Sequence, residues 1–315
     1  MSITILLPGL FTTIQDAGRF GYQQYGFSPG GALDQDAMAT ANLLAGNGSG
    51  EAVLEMTLLG AEMVFGQANT VAITGGLCEP TRNGEPVPMY AAVAMKAGDT
   101  LSVGAVKEGC RAYLAFAGGL AVPSVMGSKS TQMKYGLGGF EGRALKAGDV
   151  IPFAAPKTAL PNADKRILPL PRRESGVKTL RVVLGPQAKT SFAKEGLDTF
   201  LKEVYAVTGE SDRMGCRLDG KPLAFQNGAD IISDAIALGS VQVPSSGKPI
   251  ILLNDRQTVG GYAKIAAVIS VDIPVIAQCR PGDKVRFAAV SVKAAQRMYK
   301  KRRRQFEALR KTLEG

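Results

Sequence analysis

Three times along the chain, a basic residue, a short residue, glycine and aspartate stand directly before an alternating segment. Lys96-Ala97-Gly98-Asp99 precedes Thr-Leu-Ser-Val, Lys146-Ala147-Gly148-Asp149 precedes Val-Ile-Pro-Phe, and Arg280-Pro281-Gly282-Asp283 precedes Lys-Val-Arg-Phe. A Gly-Asp turn followed by an alternating run is a turn-strand unit. Its repetition predicts one β-architecture used more than once. Further runs of strand length and β-branched content lie at 61–65, 70–74, 100–103, 111–116 and 180–184. Glycine makes up 38 of the 315 residues, which suits many tight turns better than long helices. A mostly β fold is expected.

Helices are few. Asp34 is placed to cap a helix to Leu44, with Ala37, Met38, Ala41 and Leu44 on one face and Gly46 as its stop. A second is predicted over 190–204, and a third from about Lys293 to the end, with Ala295, Met298, Phe306, Leu309 and Leu313 as its apolar stripe. The stretch 156–174 holds four prolines and no clear period, so it reads as a linker or an extended crossing. The expected organisation is a domain over 1–155, the proline-rich linker 156–174, a second domain over 175–292 and a basic helix over 293–315.

The net charge of +10 is concentrated. From Val290 onward there are nine Lys or Arg against Glu307 and Glu314, leaving only +3 for the rest. Basicity that sits in a tail, without interleaved aromatics beyond Tyr299 and Phe306, gives weak support to nucleic-acid binding. The 300–304 run is expected to form a solvated helix face. Cys78, Cys110, Cys216 and Cys279 are scattered without ligand spacing, and the chain has no histidine. No metal site is expected, and no Ser-His-Asp or Cys-His device is possible within this chain. Any proton transfer falls to Asp, Glu, Lys, Tyr or Cys. With no charged leader and no long apolar span, a cytoplasmic protein that does not enter a membrane is expected.

The densest polar segment is Asn254-Asp255-Arg256-Gln257-Thr258-Val259-Gly260-Gly261-Tyr262-Ala263-Lys264, set between the apolar runs 249–253 and 265–269. A plain reversal needs two to five residues. This one carries an anion, two cations, two amides and two hydroxyls beside paired glycines, which points to a small-molecule site; a long, well-bonded hairpin is the alternative. Two more clusters stand apart. Asp16 and Arg19 occur in Gln15-Asp16-Ala17-Gly18-Arg19, and Ser28-Pro29-Gly30-Gly31 precedes the first helix. Backbone N–H groups there could hold an anion, although a tight turn and a structural ion pair fit equally. Arg213 lies among carboxylates in the third cluster, where its fork suits a planar carboxylate or an ion-pair network. Gly127-Ser128-Lys129-Ser130-Thr131 lacks P-loop spacing. Ala94-Met95-Lys96 is followed by Ala97, which leaves no biotin-acceptor motif.

Together Gly9-Leu10-Phe11-Thr12-Thr13-Ile14-Gln15-Asp16-Ala17-Gly18-Arg19, Ser28-Pro29-Gly30-Gly31-Ala32-Leu33-Asp34, Gly127-Ser128-Lys129-Ser130-Thr131 and 254–266 resemble the biotin-dependent carboxyltransferase, or allophanate hydrolase subunit 2, family. The resemblance runs from residue 9 to about 287. It implies two cyclophilin-like β-barrel domains with a few short helices. It also implies one component of an ATP-dependent 5-oxoprolinase, converting 5-oxo-L-proline to L-glutamate with a B-type partner (allophanate hydrolase subunit 1-like) and an A-type partner. The chain alone would bind no cofactor, and ATP would be used by the complex. The alternatives are a carboxyltransferase acting on urea or another small amide, the one reading that involves biotin, and a non-enzymatic regulator of a kinase inhibitor. In the hydrolase reading Arg256 or Arg213 grips a substrate carboxylate, and Asp255, Lys264 or Tyr262 moves protons. Gln257, Thr258, Gly260, Gly261, Asp16, Arg19, Ser28 and Gly30 complete the expected site.

Overall fold

The computed structural model describes residues 2–172 and 175–314. Arg173 and Glu174, at the end of the proline-rich stretch, lie outside the described residues, as do Met1 and Gly315.

The three Gly-Asp turns adopt one geometry. Gly98, Gly148 and Gly282 have φ of 87°, 88° and 89°, which the third position of a type II turn requires and glycine adopts without a Cβ clash. In each, the aspartate N–H donates to the carbonyl of the basic residue. The aspartate carboxylate accepts in return from that residue's N–H at 2.8 Å. Each turn also clasps a neighbouring strand. Gly98 N–H donates to the Phe65 carbonyl while Phe65 N–H donates to Asp99; Gly148 and Asp149 do the same with Ile5, and Gly282 and Asp283 with Val207. The repeated motif is therefore a clamp that fixes strand register.

The chain forms two compact units, neither continuous in sequence. One comprises Met1–Phe20, Gly30–Arg173 and Gln305–Gly315; the other comprises Gly21–Pro29 and Glu174–Arg304. The clamp occurs twice in the first and once in the second.

In the first unit a six-stranded sheet runs in the order Val150–Pro152, Ser2–Leu7, Glu62–Phe65, Thr100–Ser102, Thr81–Arg82, Glu85–Pro86. A five-stranded sheet runs Phe11–Gln15, Val53–Thr57, Glu108–Phe116, Asn69–Leu77, Ala92–Met95. Alternation puts Ile3, Ile5, Met63 and Phe65 inward, fully buried. The rings of Phe65, Phe116 and Phe153 lie 5.7–6.2 Å apart, each burial contributing roughly 1.5–3 kcal/mol. Where a barrel is expected, the described residues of this unit form two sheets on one core. The six-stranded sheet ends at the two-residue strand Glu85–Pro86, whose proline has no N–H to extend the ladder.

The helix Gln35–Leu44 starts at Asp34, whose carboxylate accepts from Ala37 N–H at 2.9 Å. Beneath it lies a buried polar chain: Glu55 accepts from Leu33 N–H and from the Tyr113 hydroxyl, which accepts from Asp34 N–H, all at 2.8 Å. Burial, then the neighbouring Glu55 and Asp34 charges, push the Tyr113 phenol far above its usual range. The proline-rich stretch is tied down rather than spanning free. Its carbonyls at Lys157 and Arg166 accept from Thr70 and Ala92, Leu168 N–H donates to Tyr90, and buried Arg166 donates to Leu43, Pro161 and Leu313 carbonyls.

The second unit is a closed seven-stranded barrel: Lys178–Leu184, Lys264–Val268, Ser240–Gln242, Ile250–Leu252, Gly215–Asp219, Tyr205–Val207, Lys284–Ala289. Parallel pairing of Lys178 with Val285 closes it. Phe200, from the helix Lys194–Lys202, stacks on Phe287 at 4.3 Å inside. That helix is shorter than the 190–204 prediction, and a five-residue helix Ile273–Ala277 was not predicted. The final helix spans Val292–Glu314, and its Phe306, Leu309 and Leu313 join the first unit's core.

Candidate functional site

The polar segment 254–264 is not a hairpin between its flanking strands. In the barrel, Ser240–Gln242 lies between Ile250–Leu252 and Lys264–Val268. After Leu252 the chain leaves the barrel and pairs Val259–Tyr262 with Asp230–Ala235 as a separate two-stranded ribbon. It re-enters the barrel at Lys264. The ribbon is largely exposed, with Ile232 at 95%.

Charged pairs fasten this excursion to the barrel. Asp255 is gripped by Arg213 through a fork, Nε to Oδ2 at 2.9 Å and Nη2 to Oδ1 at 3.1 Å. Asp255 N–H also donates to the Arg213 carbonyl at 3.0 Å. Such a bidentate bond is about twice as strong as a neutral one. Arg256, 4% exposed, points inward and donates to the carbonyls of Ile236 and Leu253, both at 3.1 Å. Burial pushes its guanidinium pKa down to about 10, which leaves it charged at neutral pH. The Ser28 hydroxyl donates to the Arg256 carbonyl at 2.5 Å. Lys264, 5% exposed, donates to Asp234 Oδ2 at 2.6 Å and to the Ala235 carbonyl at 3.0 Å. Asp234 keeps 55% of its side chain exposed.

The sequence points to Arg256 or Arg213 as the grip for a substrate carboxylate. The fold instead directs Arg213 at Asp255 and Arg256 at loop carbonyls, because both guanidiniums are desolvated and need acceptors inside the protein. The groups left facing solvent are Gln257, half-buried Thr258, Tyr262 at 41% exposure and the outer edge of the Asp234–Lys264 pair. At Gly260 a Cβ would sit 2.8 Å from Gln257 Nε2 and Ile236 Cδ1, and 2.9 Å from Gln242 Nε2, so these side-chain ends would have to shift to admit one. At Gly261 a Cβ would make only ordinary contacts. The two carboxamides lie against Gly260, and Gln242 donates to the Tyr262 carbonyl at 3.3 Å.

Asp16, Arg19 and Gly30 belong to the first unit. Asp16 accepts from Gly18 N–H at 2.8 Å, the Ser128 hydroxyl at 2.8 Å, Lys129 N–H at 2.6 Å and the Ser130 hydroxyl. Arg19, 1% exposed, donates to the carbonyls of Val125 and Ser130. The sequence motifs 9–19 and 127–131 therefore meet in a knot of buried hydrogen bonds. Gly31, with φ 86°, packs on the backbone of residues 16–18, and Leu33 and Asp34 N–H groups already donate to Glu55 and Tyr113. Asp16→Ala is accordingly expected to destabilise the first unit by about 3 kcal/mol, since it orphans several buried donors. Thermal unfolding checks this; lost activity with an unchanged melting temperature would instead mark Asp16 as chemical.

Asp234 was missed by the sequence reading. Its signal is faint: two carboxylates in Asp-Ile-Ile-Ser-Asp-Ala, a strand whose pairing with 259–262 carries Asp234 to Lys264. Its carboxyl is held below the usual range by the hydrogen bond from Lys264, then by Ala235 N–H and the Lys264 charge. A folded pKa below the unfolded value means the pair contributes fully above the ordinary aspartate pKa of about 3.9 and is lost as pH falls through the folded one. Once corrected for the intrinsic pH dependence of exchange, amide protection in the ribbon is therefore expected to stay constant from about pH 8 to 5 and to fall only below about pH 4. Loosening near neutral pH would contradict this assignment.

Among the described residues no group of three or more His, Cys, Asp or Glu could hold a metal ion, and the four cysteines are free and buried. No helix among the described residues is long and apolar enough to cross a membrane.

The family model for the carboxyltransferase domain, subdomain A and B, matches residues 25–289. The chain is 38% identical over 313 residues to the C subunit of 5-oxoprolinase from Escherichia coli, covering 98% of this chain and 97% of that one. It is 34% identical over 302 residues to the C subunit of 5-oxoprolinase from Haemophilus influenzae, with 96% of each covered. Urea amidolyase of Saccharomyces cerevisiae is 34% identical over 313 residues, but these span only 17% of that protein. The crystal structure of Kluyveromyces lactis urea carboxylase superposes with a TM-score of 0.91 at 29% identity, covering 98% of this chain and 29% of that one.

Proposed function

Since the chain belongs to the carboxyltransferase subdomain A and B family, we propose that it is the C-type component of an ATP-dependent 5-oxoprolinase, a hydrolase that opens 5-oxo-L-proline to L-glutamate. The observation that carries this reading is the end-to-end match to free-standing chains of that name, 97% of the relative's length. The match to urea amidolyase spans a small part of a longer polypeptide.

The site chemistry fits a small lactam. Hydrolysis bonds a water oxygen to the ring carbonyl carbon and breaks the C–N bond, so it needs stabilisation of charge on the carbonyl oxygen and transfer of a proton from that water to the departing nitrogen. Lys264 supplies a desolvated cation held in place by Asp234 and Ala235. We assign it the polarising role and Asp234 the role of positioning it, while Tyr262 and Gln257 offer hydrogen bonds at the solvent edge. Asp255, clamped by Arg213, holds the loop. ATP use is assigned to the assembled complex with its A- and B-type partners, in a cytoplasmic setting.

The superposition on urea carboxylase supports a second reading. In it the chain transfers CO₂ from carboxybiotin, delivered by a separate carrier, to urea or another small amide. The test is substrate-dependent ATP turnover in a mixture of this chain with its A- and B-type partners. Stimulation by 5-oxoproline, and none by urea, is expected. Urea-dependent turnover that requires bicarbonate and a biotinyl carrier would favour the second reading.

A further inference from the structure

The basic run in the last helix takes no part in the proposed site. Over residues 292–304 the sequence has seven Lys or Arg and no Asp or Glu, and this stretch belongs to the second unit. At 100° per residue, Lys293, Arg297, Lys300, Lys301 and Arg304 fall within an arc of about 100°, along about 17 Å of helix axis. All five are exposed, and among the described residues none is in a salt bridge. Farther along, Arg310 is neutralised by Glu307 and Glu314. The stripe places like charges three and four residues apart, so in the isolated chain they repel one another and weaken the helix. A surface that carries such repulsion is satisfied by counter-charge from outside.

We propose that this stripe docks an acidic surface of a protein partner in the assembled enzyme. The proposal rests on the reading of the chain as one component of a multi-chain enzyme. Two observations favour protein over nucleic acid. The helix does not stand free to enter a groove: Ala294, Ala295 and Met298 are half-buried, and the Arg181 guanidinium contacts the Met298 sulfur at 3.2 Å. Its one aromatic within this stretch, Tyr299, projects away from the stripe, so there is no stacking platform among the cations.

The test uses the intact chain and the B-type partner, with affinity measured by calorimetry at 0.1 M and 1 M salt, where the screening length falls from about 10 to 3 Å. The wild-type affinity is expected to drop at least about tenfold between the two. Lys300→Glu with Arg304→Glu is expected to weaken binding about tenfold or more at low salt, and Lys300→Gln with Arg304→Gln by less, both with unchanged melting temperature. Unaltered affinity of both variants at 0.1 M overturns the proposal. So does failure of the wild-type chain to bind, or an effect of the variants confined to a short DNA duplex. Glutamate release is read in parallel: a wild-type mixture that binds but forms no glutamate counts against the hydrolase reading and leaves the docking surface standing.

Discussion

Replacing Lys264 by methionine is expected to lower 5-oxoproline turnover of the reconstituted complex by about a hundredfold or more, the range for loss of a positioned acid, base or polarising group. Folding is expected to survive. Methionine keeps most of the apolar stem of this buried side chain, and the abandoned Asp234 carboxylate, with 55% of its side chain exposed, returns to water. Asp234→Asn keeps an acceptor for the ammonium but removes its counter-charge, so a smaller loss of about tenfold is expected, mainly in kcat. Steady-state kinetics on both variants separate the roles. Wild-type kcat in Lys264→Met would reduce the pair to a clasp for the ribbon.

The second large effect concerns stability. Arg213→Ala is expected to cost the second unit about 3 kcal/mol, because the Asp255 carboxylate, 16% exposed, is left without its fork. At about 2–4 °C per kcal/mol for a unit of this size, the melting temperature should fall by about 10 °C. Arg213→Lys keeps the charge but loses the two parallel bonds, and should fall between. Arg213→Ala combined with Asp255→Ala should recover part of the loss, since no buried charge then stands alone. A substrate-gripping Arg213 would instead raise KM with the melting temperature unchanged.

What the sequence disclosed is what a few neighbouring residues decide. The Gly-Asp turns were legible because glycine at φ near 88° and an aspartate three residues after the basic residue complete the turn within four positions. The Asp34 cap was legible for the same reason. The polar density of 254–264 was visible as well. The roles within it were not, because they depend on pairs far apart in sequence: Arg213 and Asp255 are 42 residues apart, Asp234 and Lys264 30, Ser28 and Arg256 228. Which cation meets which acceptor is set by barrel register and by the ribbon pairing, and neither follows from local propensity. The same limit explains why a buried Glu55 in a strand of apolar residues passed unnoticed: its partners Leu33 and Tyr113 come from distant segments.

If this chain is an obligatory part of a 5-oxoprolinase, glutamate formation from 5-oxoproline with ATP should depend on it, as measured in a mixture of A-, B- and C-type chains and in the mixture lacking this chain. The expected result is stoichiometric ATP-dependent glutamate release in the full mixture and background release without it. Equal release from the two mixtures would mean that 5-oxoprolinase activity does not need this chain.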